Sequence, residues 1–467
     1  MGLVNAAFVV ISRTLSFSSV LSPRPASMQR PTVDSAASEF ARSSIFWIQK
    51  LPFFYGWIVL AIAVIAMVAT TPGQTHGVTI FNPFFTEAIG LSKSQLSGAY
   101  MVATLLAGLT MPWLGAWMDK RGIRLMMSLV VCGLSATCLL ASFVSGLPSL
   151  LLVFFLLRML GQGALSLLAS NAVGMWFDSR LGTANGILNV VATLLTSQVL
   201  LGMSQLTVHF GWRATYRILA LCIAIVMLPL LAILFRNRPS EIGEQTDGRA
   251  AVFVPRPDRS PRGLAPQQMR DSFDFASVLR TRSYWILVLA HTAWSLIGTA
   301  LIFHIHSMFD ARRLPTTDAS QTLTHLFIAA AAMQLISGIL ADRIPLNWLL
   351  AASAGGMLLA IWMMLSEHAS LLGPGYLTFG VSQAVTGVVS GTVWIRYFGR
   401  AHIGKIRGSV FSALVAGSAL GPYAMAFLYE RYGSYRPALG LFAAIYLVVG
   451  LLTLMATPPQ RKQQATA

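Results

Sequence analysis

Charge is what this chain has least of. Only 10% of its 467 residues are Asp, Glu, Lys or Arg, while 55% are hydrophobic. Soluble proteins carry about 25% charged residues to keep their surface hydrated. So little charge excludes a large water-soluble globule, whereas lipid demands no polar cover. Acidic residues are scarcer still, 16 Asp+Glu against 33 Lys+Arg, and all sixteen fall in loops or at helix ends. No carboxylate is left for mid-membrane. Cysteines number three, and Cys132, Cys138 and Cys222 all sit in apolar runs without metal-ligand spacing. They read as packing residues, with no disulfide framework and no metal site. Also missing are a Walker loop, a His-Glu-x-x-His helix and a nucleophile elbow. Their absence argues against an enzyme, implies no cofactor, and removes ATP as a direct energy source.

What is present is a series of long apolar runs. A helix needs about 20 mostly apolar residues to cross a bilayer, and in lipid every backbone amide must be satisfied within its own segment. Such runs fall at roughly 57–80, 94–117, 125–145, 148–176, 181–206, 214–235, 284–308, 320–341, 346–366, 371–395, 406–428 and 436–457. The sequence therefore predicts an all-α integral membrane protein with twelve transmembrane helices.

An even number of spans puts both chain ends on one side. That side holds 25 of the 33 Lys+Arg, the opposite side holds 7, and Arg158 alone lies inside a span. This is the positive-inside bias. It predicts cytoplasmic termini and a cytoplasmic central loop, in a plasma membrane or in the inner membrane of a bacterium. The net charge of +17 thus orients the chain. A nucleic-acid partner would want a basic soluble face with interleaved aromatics, and none is visible.

Residues 1–52 read as a disordered cytoplasmic leader. Its first 33 residues contain Arg13, Arg24 and Arg30, several serines and no acid, a composition that superficially matches an organelle transit peptide. A start at Met28 or a disordered tail is the preferred reading. Residues 53–235 then form one six-helix bundle and 283–457 a second. Between them, 236–282 is polar and proline-bearing ("VPRPDRSPRGLAP") and reads as a linker; 458–467 is a short tail.

The two bundles repeat each other. Gly115-x-x-x-Asp119 in "GAWMDKRGIR" aligns with Gly338-x-x-x-Asp342 in "GILADRIP", an offset of 223. Trp176-Phe177 aligns with Tyr397-Phe398, an offset of 221, and Gly211 in "FGWRATY" with Gly433 in "YGSYRPAL", an offset of 222. Three matches in order at nearly one offset indicate a duplicated six-helix unit.

With these motifs the chain resembles the major facilitator superfamily. "GAWMDKRGIR" is similar to its signature loop between spans two and three, and "RMLGQG" (158–163) to its span-four Arg-x-x-x-Gly-x-Gly element. "PGQTHGVTIF", "WFDSRLGTANG", "NRPSEIG" and "YFGRAHIGKIRG" resemble the branch of monocarboxylate and oxalate/formate carriers. The resemblance runs from about 53 to 457. It implies two six-helix pseudo-repeats around a central cavity that work by alternating access. Two departures matter. The Gly-Pro element of drug/proton antiporters is missing from 181–206, although "GSALGP" (417–422) occupies the corresponding place in span eleven. Some anion carriers of that branch place Lys or Arg in spans eight and eleven; here only Arg407, at the membrane edge, is available, so oxalate does not carry over.

Buried ionisable groups are few: Arg158 and the histidines His76, His291, His304, His306 and His325. Arg158 lies some ten residues, about 15 Å, into its helix, and a charge at that depth costs about 2.5–3.5 kcal/mol on insertion scales. Gln162 shares its face. Facing water without an acidic counterweight, Arg158 would anchor an anion; the alternative is that backbone carbonyls or glutamines tie it down. Proton coupling needs a group that titrates, which leaves histidine. His291 and His304 are thirteen residues apart and diverge by about 220° on an unbroken helix, a divergence that Gly298 could relax. His304, in "FHIH", is the stronger candidate, and a helix-to-helix hydrogen bond is its alternative. Pro72, Gly73 and Gly77 predict a broken first span. They make Gln74, Thr75 and His76 candidate substrate contacts, with helix packing as the other reading. Gln383 is a further candidate, and Trp394 reads as packing. Gly115, Asp119, Arg121, Asp342 and Arg343 are candidate gate residues; the basic ones could equally serve orientation alone.

The sequence thus points to a monomeric secondary transporter of a small organic anion, monocarboxylate-like and with protons as a possible coupling ion. The alternatives are a passive uniporter and a non-transporting sensor on the same fold.

Overall fold

A computed structural model describes residues 53–91, 93–248 and 272–459. The expected leader over 1–52, the middle of the expected linker and most of the tail lie outside the described residues. Every regular element among those described is helical. Among the described residues, ten helices are long and apolar enough to cross a membrane. One of them, Leu181–Leu234, is broken at Gly211, whose φ of 80° and ψ of 160° belong to a backbone region that glycine enters freely. Its two arms are spans five and six. A further helix, Leu372–Phe398, is 27 residues long, or about 40 Å, and is less apolar because much of its surface is turned inward. The set is consistent with twelve crossings.

Span one is Gly56–Ile89, span two Gly98–Arg121, span three Ile123–Ala141 and span four Leu147–Trp176. Span seven is Arg282–Phe303, span eight Thr317–Arg343, span nine Leu346–Leu365, span eleven Ile403–Tyr432 and span twelve Arg436–Leu454; span ten is Leu372–Phe398.

The expected duplication is visible in bonding as well as in motif spacing. Arg124 Nε donates to the carbonyl of Leu231 at 2.9 Å, and Asn347 Nδ2 to that of Leu454 at 3.2 Å, so donor and acceptor both move by 223 positions. Trp176 Nε1 reaches the Arg236 carbonyl at 3.2 Å where Tyr397 OH reaches that of Ala456 at 2.9 Å. Each pair ties the start of span three or nine, or the end of span four or ten, to the end of its own half's last helix or the residues just after it.

Between the halves, span two packs on span eleven and span five on span eight. Apolar burial drives little association in lipid, so close backbone approach has to do it. A Cβ on Gly115 would strike the Gly404 carbonyl, and one on Gly182 the Gly338 carbonyl. Outward-facing Trp113, Trp117, Trp285, Trp348 and Trp362 are exposed, as suits rings at lipid or headgroup level.

One expectation needs correction. Span seven does not continue to 308: the helix stops at Phe303, His304 adopts φ −98° and ψ 9°, and a short helix, Ile305–Asp310, follows. At the described start of the linker, Pro239–Ile242 forms a tight helical turn and Asp247 bonds back to the loop between spans four and five.

Candidate functional site

The ends of the bundle that carry the two Gly-x-x-x-Asp turns are closed by a reciprocal pair of contacts. The Asp119 carboxylate accepts the backbone N–H groups of Gly404 and Lys405, both at 2.9 Å, at the start of span eleven. Asp342 accepts those of Gly182 and Thr183 at 2.7 and 2.9 Å, and the Thr183 hydroxyl at 2.7 Å, at the start of span five. A carboxylate at a helix N-terminus satisfies orphan amides and meets the positive end of the helix dipole. Of the expected gate residues, Gly115, Asp119 and Asp342 therefore lie in the closure. Arg121 and Arg343 are exposed instead. The arginines that cross or brace this junction are Arg396, paired with Asp342 at 2.6 Å, and Arg400, which reaches Gly174 and Phe177 carbonyls at 2.8 and 3.0 Å and the Asp178 carboxylate at 2.8 Å.

Asp178 belongs to a turn that is itself held from below. Asp247 accepts the N–H of Asp178 at 3.1 Å, the N–H of Ser179 at 2.7 Å and the Ser179 hydroxyl at 2.8 Å. Burial alone would push the Asp247 carboxyl up, but these hydrogen bonds to its ionised form outweigh burial and hold it below the ordinary aspartate value.

Beyond the closure lies a cavity of about 580 Å³ between the halves, lined by spans one, four, five, seven, eight, ten and eleven. Its walls are largely apolar, with Leu167, Phe379, Phe411 and Leu414 among them, and its polar lining includes Ser166, Asn185, Asn189, Gln334 and Gln383. Only two of the lining residues are ionisable, His76 and Arg407, and none is acidic. Arg407 donates from Nη1 to Asn171 Oδ1 at 2.8 Å, which uses one of the five N–H donors of a guanidinium.

Of the residues singled out in the sequence, His76 and Gln383 reach this cavity. Gln74 lies beside it: its Nε2 donates to Thr70 Oγ1 at 3.0 Å and approaches the lining residue Ser166 at 3.5 Å. Arg158 is not among the lining residues. Span one breaks as expected, through a buried tight turn Thr71–Gly73 and an extended Gln74 (φ −77°, ψ 154°). The break frees a carbonyl, and Arg158 Nη1 takes it, donating to Gly73 at 3.2 Å and to Thr75 Oγ1 at 3.3 Å. Its guanidinium stacks 5.0 Å from the Tyr100 ring centre, and Tyr100 OH donates to the same Thr75 hydroxyl at 2.9 Å. Of the two readings left open for Arg158, tying to a backbone carbonyl is the one observed in this conformation. Gln162, on the same face, is likewise outside the lining. The wide-turn stretch Leu157–Leu165 that carries both brings Gly161 so near Gly73 that an added side-chain carbon would crowd the Gly73 Cα.

The other histidines are placed away from the lining. His291 is fully buried, with Nδ1 2.7 Å from the Leu287 carbonyl. His304 bridges helices through Nε2, 3.1 Å from the Pro422 carbonyl. Neither is among the residues that line the cavity.

Arg407 escaped the sequence reading because span eleven starts at Ile403 rather than at 406. One extra turn carries Arg407 off the edge and into the interior. The repeat offered a signal: Asn185, 222 positions earlier, lines the same cavity from span five. Among the described residues no group of three His, Cys, Asp or Glu is placed to hold a metal ion.

Comparison with known proteins identifies the architecture. The family model of the Major Facilitator Superfamily matches residues 58–320 and 286–467. A Bacillus subtilis (strain 168) protein, the uncharacterised MFS-type transporter YcxA, is 26% identical over 157 residues, which is 33% of this chain and 38% of that protein. The chain thus matches well under half the length of this curated relative. Among solved structures, the human organic anion transporter MFSD10 (TETRAN) aligns with a TM-score of 0.58 at 18% identity, over 89% of this chain and 99% of that one. The proton:xylose symporter XylE aligns at 0.62 and 12% identity over 86% and 94% of the two chains. The E. coli fucose:proton symporter FucP aligns at 0.60 and 16% identity over 87% and 100%. At these identities the likeness is one of fold.

Proposed function

The chain belongs to the Major Facilitator Superfamily, and from that premise we propose that it carries a small organic anion across the membrane by alternating access. The solved neighbours are named for anions in one case and sugars in the others, so the solute has to be argued from this chain's own cavity. One observation carries the reading: the cavity lining holds a permanent cation, Arg407, and no carboxylate to neutralise it. Between largely apolar walls, that charge favours a solute that brings a negative one. A single guanidinium matches a single carboxylate, and the apolar walls match a carbon body, so the solute class is a monocarboxylate. Arg407, Asn185, Gln383 and His76 contact it. Arg158 acts through span one, holding Gly73 and Thr75 where His76 can face the cavity. The bias of Lys and Arg supports a closed end that faces the cytoplasm, in the plasma membrane or its bacterial counterpart. The conformation is then open toward the outside.

Vesicles holding the purified protein test this with labelled lactate, benzoate, oxalate and xylose. Lactate or benzoate should exchange across the membrane, oxalate and xylose should exchange poorly, and Arg407→Gln should raise the half-saturation concentration of the monoanion at least tenfold, about 1.4 kcal/mol. Xylose carried as well as the anions, or anion exchange indifferent to Arg407→Gln, would sink the reading.

A further inference from the structure

We propose that the carried monoanion also bears a hydroxyl group remote from its carboxylate, held between the indole N–H of Trp294 and the side-chain carbonyl of Gln383. The inference rests on the anion reading above and deepens it by naming the solute's second functional group and the place that holds it. Two orphaned atoms carry it. Trp294 Nε1 is a donor and Gln383 Oε1 an acceptor, and both residues line the cavity. Each atom is closed off from water, and neither has a hydrogen-bond partner among the described residues. Native proteins leave few buried polar groups in that state, because each forfeits the bonds that it made with water.

Backbone geometry brings the two side chains together. Spans seven and ten pass each other with a glycine on both sides. A Cβ on Gly387 would lie 3.9 Å from the Trp294 ring, and one on Gly298 would strike Gln383 Nε2. Trp294 and Gly298 are one turn apart on span seven, as are Gln383 and Gly387 on span ten. The indole edge and the carboxamide therefore occupy neighbouring turns of one wall. With the carboxamide nitrogen packed on Gly298, its oxygen is the atom left for a partner. A donor and an acceptor in one place suit a group that plays both parts, and a hydroxyl is the smallest that does.

Span eleven sets how far that hydroxyl lies from the charge. Ser295, next to Trp294, donates to the Leu414 carbonyl at 2.8 Å. Leu414 stands seven residues beyond Arg407, which is two turns or about 10 Å along the helix. A hydroxyl on the carbon next to the carboxylate does not reach across that gap. Phe411 and Leu414 line the stretch between, so the solute is an extended acid, polar at both ends and carbon in the middle. The cavity volume of about 580 Å³ falls in the range that houses drug-sized ligands. A site built to bond a hydroxyl rejects the analogue lacking it far more strongly than an apolar pocket rejects a missing methylene, since its own polar atoms are then left alone.

Three phenylpropanoates test this. 3-(4-Hydroxyphenyl)propanoate carries the far hydroxyl, 3-phenylpropanoate lacks it, and 3-(2-hydroxyphenyl)propanoate carries the same group close to the acid chain. A phenol of this kind is neutral at pH 7, so all three are monoanions. Each is titrated as an inhibitor of labelled lactate exchange in vesicles holding the purified protein, with protein-free vesicles subtracted. The 4-hydroxy acid should inhibit the wild type at concentrations at least tenfold below those of the other two. Trp294→Phe keeps a ring and loses the N–H, while Gly298→Ala keeps Gln383 and pushes its carboxamide aside. Each variant should cut the preference to less than about threefold, and should one of them fail to fold, the same ratio read in the other decides. Equal inhibition by the three acids, a 2-hydroxy acid as potent as the 4-hydroxy one, or a tenfold preference that survives in either variant would overturn the proposal. Wild-type vesicles that exchange no lactate would instead refute the anion reading, and this proposal with it.

Discussion

The Asp342 carboxylate and the amide of Gly182 meet at 2.7 Å across the two halves of the molecule, and 222 to 223 positions away Asp119 and Gly404 exchange the roles of the halves at 2.9 Å. Each duplicated turn thus caps a helix of the opposite bundle. The contact is made only where the two bundles touch, so it stabilises one face of the transport cycle and has to be surrendered in the other.

Removing either cap should loosen that face. A hydrogen bond to a charged group contributes about 1.5–3 kcal/mol, and Asp342→Ala loses several at once, together with the Arg396 pair. In a background with the three native cysteines replaced, Ser390→Cys places a thiol in the cavity lining. Asp342→Ala or Asp119→Ala should make that thiol react faster with an impermeant maleimide applied from the basic face. Unchanged labelling would mean that the glycine contacts alone hold the closure.

Those contacts have their own test. Gly115→Leu would drive a side chain into the Gly404 carbonyl, where backbone cannot yield cheaply, and overpacking of this kind costs about 1–3 kcal/mol. The variant should insert normally, favour the conformation open at the basic face, and lose most exchange. Wild-type exchange rates in Gly115→Leu would show that the halves need not approach so closely.

Arg158→Gln should behave unlike Arg407→Gln. It strips the Gly73 carbonyl and the Thr75 hydroxyl of their partner, a loss of about 1.5–3 kcal/mol, so a lower melting temperature in detergent is expected. The half-saturation concentration of the anion should move less than in Arg407→Gln. A larger effect of Arg158→Gln on affinity would return Arg158 to the solute's immediate surroundings.

The Asp247 latch should be pH-dependent in a defined direction. Its carboxyl is held below the ordinary aspartate value in the folded protein, so its contribution is complete above that ordinary value, about 3.9. It is lost as pH falls further, through the lowered folded value. Thermal melts of wild type and Asp247→Asn should therefore differ at pH 6 and converge toward pH 3. A gap that does not narrow between pH 6 and pH 3 would mean that the charge of Asp247 is not what holds the turn around Asp178.

Long apolar runs, the break in span one, the duplicated turns and their aspartates were all legible in the sequence, because each follows from local rules: bilayer thickness, proline geometry, and the demand of helix ends for partners. The solute-facing set was less so. Arg158 lies deep in span four as the sequence indicates, yet depth does not say which way a side chain turns, and a carbonyl freed by Pro72 and Gly73 lay within its reach. His304 was favoured for its neighbours in the chain, whereas its bond to the Pro422 carbonyl depends on a helix more than a hundred residues away. Arg407 was placed at the edge by an error of one helical turn. Such errors are small along the chain and decisive across it, since one turn separates headgroup from interior.

The repeat equates Asn185 with Arg407, and both line the cavity from opposite bundles. Duplication makes the two walls alike by rotation, but of this pair only Arg407 carries charge. On the proposed reading, a solute held by its carboxylate at Arg407 and touched by Asn185 and His76 would meet three unlike groups. Three unlike points distinguish left from right hand, so the carrier should prefer one enantiomer of a 2-hydroxy acid over its mirror image.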